Sequence, residues 1–209
     1  MKSFAGKVIL LTGAPGTGKS TLVTILRQSV RPLQSVDYGQ LLLARLEQRT
    51  GAKAPYSDLR KFSSDLVSHK DVERTDAEFI RQLGRLRTQG NVLIDSHAVT
   101  KERFGYRITP YSTHQLGALR LDAVVSLHCD PGALAKRIRI DPQGRRRVTA
   151  EEARHHQFLQ EAVGAVYAIS CGCPLFVIDN THRSADEVAA EFISVLTKVG
   201  ARFFLKPRC

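Results

Sequence analysis

Short apolar runs alternate with longer amphipathic stretches along the chain. Five of the runs have the length of strands, and the first of them, with its β-branched and leucine residues, is typical of a strand buried on both faces. They cover residues 8–11, 33–36, 91–95, 123–128 and 174–179. The stretches between them, such as residues 19–31, 40–49, 72–88 and 184–199, carry apolar residues at helical spacing. This alternation predicts an α/β domain in which a five-stranded parallel sheet is flanked by helices, with right-handed crossovers.

The junction between the first strand and the first helix carries the motif G-x-x-x-x-G-K-[ST] without a mismatch. Its glycines allow a tight turn in which successive N–H groups point inward, and the helix that follows presents the positive end of its dipole to the same point. We therefore expect a P-loop that binds ATP, with the Lys19 ammonium reaching the β and γ phosphates. The predicted nucleotide-binding residues here are Gly13, Ala14, Pro15, Gly16, Thr17, Gly18, Lys19, Ser20 and Thr21.

Two side chains with oxygen ligands are candidates for a magnesium site beside this loop. The Ser20 hydroxyl ends the motif, and Asp95 ends the third predicted strand, whose carboxyl end faces the same crevice in a doubly wound sheet. A serine and a carboxylate in these places can hold Mg²⁺, the carboxylate through water. An aspartate that merely ends a strand is the alternative. His97 follows, as a candidate substrate-binding residue or as an ordinary loop histidine.

Residues 38–90 are predicted to form a helical insertion that binds the phosphate acceptor. Asp37, Tyr38 and Gly39 introduce it, and its helices carry dense cations, Arg60 among them, that could receive an anionic acceptor. Most of these cations are expected to be solvated surface. Asp37 stands at a strand end near the P-loop, where it is either part of the site or the N-cap of the next helix.

Arginines on both sides of a short turn predict a lid over residues 137–149. Arg137 lies on a helix that breaks at residues 141–144, three consecutive arginines follow at 145–147, and Thr149 caps the next helix. Guanidinium groups carried by such a turn would neutralise the charge on a transferred phosphoryl group. The alternatives are a nucleic-acid contact or a solvated turn.

Composition adds bounds on class and partners. The length of 209 residues fits a single domain. No apolar run approaches a membrane span and no signal peptide is evident, so we expect a cytoplasmic protein without a membrane partner. The formal charge of +11 favours polyanionic partners, either nucleotides or nucleic acid. Cysteines at 129, 171, 173 and 209 lack the paired spacing of a zinc site and favour reduced, buried thiols.

The order of these motifs resembles that of the archaeal-type adenylate kinases, along most of residues 6–197. The family's N-Y-G after the second strand and D-T-H-A-V after the third appear here as D-Y-G at 37–39 and D-S-H-A-V at 95–99. The resemblance implies that residues 13–20 hold the donor phosphates, that Arg137 and the arginine turn close over the site, and that Asn180 lines the donor base. It also implies that Arg60 lies in a nucleotide-binding helix. Asp37 departs from the family's Asn, which leaves the acceptor open.

Three functions follow from these patterns. The first is an ATP- and Mg²⁺-dependent phosphotransferase that acts on a nucleoside monophosphate. The second is a kinase of a small-molecule hydroxyl that uses Asp37 as its base. The third, not favoured, is an adenylate kinase-like ATPase that binds RNA or a ribonucleoprotein, as relatives that assist ribosome assembly do. An AAA-type ATPase is disfavoured, since Ser96 follows Asp95 where such machines place a glutamate. The predicted catalytic residues are Lys19, Asp37, Arg137, Arg145 and Arg147.

Overall fold

The computed structural model describes residues 5–51, 67–102, 104–141 and 147–206. Its centre is a five-stranded parallel sheet in the order β3-β4-β1-β7-β8. These strands are β1 (Val8–Thr12), β3 (Leu33–Asp37), β4 (Asn91–Asp95), β7 (Ala123–His128) and β8 (Leu175–Asp179). The predicted fold class, a parallel sheet flanked by helices, is confirmed.

Seven described helices surround the sheet. They are α1 (Lys19–Ser29), α2 (Tyr38–Thr50), α3 (His69–Gln89), α4 (Thr113–Leu119), α5 (Pro131–Ile140), α6 (Ala150–Cys171) and α7 (Ala185–Lys198). Capping boxes start three of these helices, at Ser112, Thr149 and Ser184, each with a hydroxyl that accepts a backbone N–H and a partner side chain that accepts in return. A further capping box at Ser68 starts α3.

Each face of the sheet is covered by its own set of helices. On one face, Ile9 and Leu11 of β1 pack with Leu22 and Leu26 of α1 and with Phe192 of α7. On the other face, Val8 and Leu10 pack with residues of α3 and α6, namely Phe79, Leu83, Val163 and Tyr167. Because β1 is buried on both faces, its apolar residues run continuously instead of alternating.

Four short strands lie outside the main sheet. The antiparallel pair β5 (Val99–Lys101) and β6 (Tyr106–Ile108) follows β4. The tail, in which no element was predicted, forms β9 (Phe204–Leu205), which pairs with β2 (Val30–Arg31). Strands this short carry little pattern of their own, because partners distant in the sequence decide whether they form.

Parts of the sequence prediction fall outside the described ranges. They include the helical segment expected at 56–64, with Arg60, and most of the arginine turn, with Arg145. Among the helices that the structure describes, none combines the length and the apolar character needed to span a bilayer.

Candidate active site

The carboxyl ends of β3, β4 and β1 bring the predicted phosphate and metal groups to one edge of the sheet. Asp95 is in register with Asp37 on one side and with Leu11 on the other. Parallel neighbours lie about 4.8 Å apart and residues in register face the same side. The two aspartates are therefore adjacent, next to the point where β1 leads into the P-loop at Gly13.

The P-loop backbone adopts the conformation that its glycines permit. Gly13 has a φ of 141° and Gly18 a φ of 97°, in the region that side chains disfavour. A Cβ at Gly13 would lie 2.7 Å from the Leu127 carbonyl oxygen, and one at Gly18 would lie 2.6 Å from Asn180 Nδ2. Both positions therefore require glycine for steric as well as conformational reasons.

The loop has the donors that a phosphate needs. Gly18 is the N-cap of α1 and supplies no side-chain acceptor to the first N–H groups of the helix, so an anion can take that place. Lys19 Nζ donates to the Gly13 carbonyl at 2.6 Å and to the Ala14 carbonyl at 3.4 Å. The ammonium thus lies across the loop, and phosphate oxygens could replace these carbonyls. Thr17 holds the turn through Oγ1, which donates to the Ala14 carbonyl at 2.8 Å.

A pocket of about 300 Å³ adjoins the P-loop on the β8 side. Asn180 borders it and ties it to the loop, since its Nδ2 donates to the Thr17 carbonyl at 2.7 Å. Arg137 Nη2 donates to the carbonyls of Asn180 at 2.8 Å and Thr181 at 3.0 Å. Arg137 is therefore held against the loop that follows β8. Besides Arg137 and Asn180, the pocket lining includes Gly16, Gly18, Thr21, Leu22, Arg183, Ala185 and Val188.

The donor set beside the P-loop suits a magnesium ion that is carried by a nucleotide. Ser20 is the second residue of α1 and is exposed, and Asp95 ends β4. Within the described ranges, no three His, Cys, Asp or Glu side chains cluster as a metal site. A magnesium ion held by Ser20 and Asp95 would thus take its remaining ligands from phosphate and water, as Mg²⁺ commonly does.

Asp37, Gly39 and His97 belong to the predicted acceptor side, and Arg147 belongs to the predicted lid. Asp37 is exposed and caps α2, where its carboxylate accepts from Gln40 N at 3.2 Å; the predicted N-cap alternative is therefore realised, on a strand end that is in register with Asp95. His97 is exposed after β4, and Gly39 lies in the first turn of α2. Arg147, the last of the arginine turn, is exposed.

Tyr38 has a different environment from its neighbour Asp37. It is buried, and its hydroxyl donates to Asp76 of α3. Gln115 Nε2 also donates to Asp76, at 2.7 Å. Burial, the nearby Tyr111 and the Asp76 carboxylate raise the pKa of Tyr38. The Tyr38 side chain thus links the start of α2 to α3 within the core.

Three buried polar residues on α6, which sequence reasoning missed, hold the backbone of segments that border the crevice. Gln160 bonds Thr12 and Val99, Gln157 bonds Cys129, and His156 bonds Val99. The signal was present in the sequence, because these polar residues interrupt the apolar stripe of α6 on its buried face.

A parallel sheet with a P-loop after its first strand, a carboxylate at the end of the neighbouring strand and a pocket beside the loop defines a P-loop nucleotide-binding protein. Residues 12–155 match the family model described as "AAA domain". The chain belongs to that family, and its similarity to archaeal adenylate kinases confirms the resemblance predicted from the sequence.

Curated relatives cover nearly the whole chain. An adenylate kinase of Thermoplasma acidophilum is 27% identical over 188 residues, which are 90% of this chain and 97% of the relative. An adenylate kinase of Methanopyrus kandleri is 24% identical, over 91% of this chain and 98% of the relative. Among solved structures, shikimate kinase from Bacteroides thetaiotaomicron has a TM-score of 0.53 at 16% identity, with 91% of this chain and 98% of that chain covered. This last likeness concerns the fold alone.

The chain is therefore an ATP-dependent phosphotransferase, as the sequence predicted. The description "AAA domain" is similar to the name of the AAA-type ATPases that the sequence disfavoured. The relatives named above, by contrast, are kinases of nearly the same length as this chain.

Proposed function

We propose that this protein is an ATP- and Mg²⁺-dependent nucleoside monophosphate kinase with AMP as its leading acceptor. The observation that carries the proposal is the arrangement at the carboxyl edge of the sheet. There the Lys19 ammonium and the uncapped start of α1 adjoin a pocket on one side and the Asp37–Asp95 pair on the other. The names of the curated relatives support the choice of AMP.

Catalysis in this proposal is positioning and charge neutralisation. The N–H groups at the start of α1 and Lys19 bind the donor phosphates, and the pocket bordered by Asn180 and Arg137 receives the donor base. Ser20 and Asp95 would hold Mg²⁺, which would supply neutralisation of the phosphate charge. The predicted lid would bring Arg145 and Arg147 over the site to exclude water; Arg147 is exposed, and Arg145 lies outside the described residues. An acceptor phosphate is already a nucleophile, so the residues present need supply no base.

Asp37 distinguishes this function from a hydroxyl kinase. A carboxylate near an anionic acceptor repels it, whereas near a hydroxyl it could take the proton. The contact between Asp37 and Gln40 N gives the residue a structural role as the N-cap of α2. A residue with that role need not be a base, and this supports the nucleotide acceptor.

The test is a panel of nucleoside monophosphates and hydroxyl metabolites, assayed by ADP release with ATP and Mg²⁺, for the parent and for Asp37→Asn. Asparagine caps helices as well as aspartate does, so the variant keeps α2 in place. A nucleotide kinase should require AMP or a related acceptor and keep or gain rate in the variant. A hydroxyl kinase should lose a factor of about 100 or more.

An ATPase that binds RNA remains the third function, and the charge of +11 is the observation behind it. Hydrolysis that ignores every acceptor, together with RNA binding that persists without ATP and weakens steeply with salt, would replace the kinase proposal.

A further inference from the structure

Two buried glutamines, one turn apart on α6, bond the backbone on opposite sides of the crevice. Gln160 is 1% exposed and Gln157 is 2% exposed. Each amide makes two hydrogen bonds, one through its oxygen and one through its nitrogen. They are therefore matched in helix, burial and hydrogen-bond count, and they differ in which segment they hold.

Gln160 connects the entry of the P-loop to the acceptor side. Its Nε2 donates to Thr12 Oγ1 at 2.6 Å, and its Oε1 accepts from Val99 N at 3.2 Å. Thr12 directly precedes Gly13, and Val99 ends the segment that begins with Asp95 and contains His97. The Val99 carbonyl accepts from His156 Nε2 at 3.0 Å. Both backbone groups of Val99 are thus bonded to α6.

Gln157 bonds the donor side, through both backbone groups of one residue. Its Oε1 accepts from Cys129 N at 2.8 Å, and its Nε2 donates to the Cys129 carbonyl at 2.8 Å. The residues on either side of Cys129 bind the loop after β8: the His128 carbonyl accepts from Asn180 N, and Asp130 N donates to Thr181 Oγ1. That loop carries the Asn180 and Thr181 carbonyls to which Arg137 donates.

Helix α6 also makes contacts at its own amino end. It starts at Ala150, directly after Thr149, and its Glu152 carboxylate accepts from Thr149 N at 2.8 Å and pairs with Lys101 of β5 at 2.5 Å. A buried amide costs free energy unless all of its hydrogen bonds are made. Two such amides on one apolar stripe fix where the bonded segments lie, in addition to any packing they provide.

We propose that Gln160 and Gln157 are positioning residues with separate targets. Gln160 sets the Asp95–Val99 segment, and hence the acceptor, relative to the P-loop. Gln157 sets the loop after β8, and hence the ATP pocket. The part of the inference that concerns Gln160 and the acceptor rests on the proposed function. The part that concerns Gln157 requires only that the protein binds ATP.

The test compares Gln160→Leu with Gln157→Leu, each the matched control for the other. For Gln160→Leu we expect a rise in the KM for AMP or a fall in kcat of about tenfold, because a small misplacement of reacting groups is costly, while the Kd for ATP without acceptor stays within about twofold. For Gln157→Leu we expect the Kd for ATP to rise about tenfold, with kcat at saturation within about twofold.

Amide hydrogen exchange supplies a readout independent of activity. Gln160→Leu should expose the Val99 amide and leave the Cys129 amide protected, and Gln157→Leu should do the reverse. If either leucine variant fails to fold, the methionine variant, which is closer in length to glutamine, replaces it. Should the parent not phosphorylate AMP, the proposed function fails, but the Kd for ATP and the exchange pattern still decide the inference. Equal changes in both variants, following only their loss of stability, would overturn it.

Discussion

Protonation of His156 should destabilise the fold in mild acid, and the structure gives the magnitude. The His156 ring is buried. Its Nε2 lies 3.0 Å from the Val99 carbonyl oxygen, and the ring centroid lies 5.3 Å from that of Tyr106. Since a carbonyl only accepts, Nε2 carries the proton of the neutral ring. Burial lowers the pKa of His156 from 6.5 to about 4, and the positive charges of Lys19 and Lys101 add to the effect.

The direction of the pH effect follows from proton binding. Between the two pKa values the unfolded chain binds a proton at this position and the folded chain does not, so stability falls as the pH falls. The stability is intact above the unfolded pKa and is lost progressively down to the folded pKa. Between about pH 7.5 and pH 5, a folded pKa of about 4 corresponds to a loss of about 2 kcal/mol from this residue.

Urea unfolding of the parent and of His156→Gln at both pH values measures this contribution. The Gln amide can donate to the Val99 carbonyl but does not titrate, so the variant should lose about 2 kcal/mol less than the parent does. His155→Gln is the control, because His155 is exposed on the same turn of α6, and it should keep the parent's pH dependence. If the parent and His156→Gln lose equal stability on acidification, the buried neutral histidine is refuted.

Two further substitutions test the P-loop and the base of the sheet. Gly18→Ala should weaken ATP binding about tenfold or more, because Gly18 has a positive φ and an added Cβ would press on Asn180. Gly84→Ala on α3 is the control. The space around that Cβ is open, so the Kd for ATP should not change. Asn91→Ala should lower the free energy of unfolding by about 3 kcal/mol. The buried Asn91 amide bonds Lys7 N, the Pro32 carbonyl and the Arg202 carbonyl, and the variant loses all three bonds. The KM for ATP should not change, because Asn91 starts β4 at the end of the strand away from the P-loop.

The features predicted best are those encoded locally. The P-loop lies in one continuous segment, so its glycines, Lys19 and the start of α1 follow from spacing alone. The central strands β1, β4 and β7 are buried almost throughout, and their apolar runs distinguish them from the helices. The strand ends predicted that Asp37 and Asp95 each lie near the P-loop, and the structure adds that the two are in register on neighbouring strands.

What the sequence did not predict depends on pairs that are distant along the chain. The bond from Tyr38 to Asp76 joins two helices, and no local pattern directs the Tyr38 ring inward. The pairing of β2 with β9 brings the tail against the residues that follow α1. The roles of Gln157 and Gln160 depend on which strand ends α6 crosses, although their position on its buried face could have marked them as residues needing partners.

The central claim is that the P-loop and its lysine bind the triphosphate of ATP. The direct measurement is ATP binding and AMP-dependent ADP release by Lys19→Ala, with circular dichroism to verify that the fold is retained. We expect the rate of phosphoryl transfer to fall by about 100-fold or more. The variant lacks the ammonium that would stabilise the negative charge on the transferred phosphoryl group. A folded Lys19→Ala protein that binds and consumes ATP as well as the parent would contradict the account.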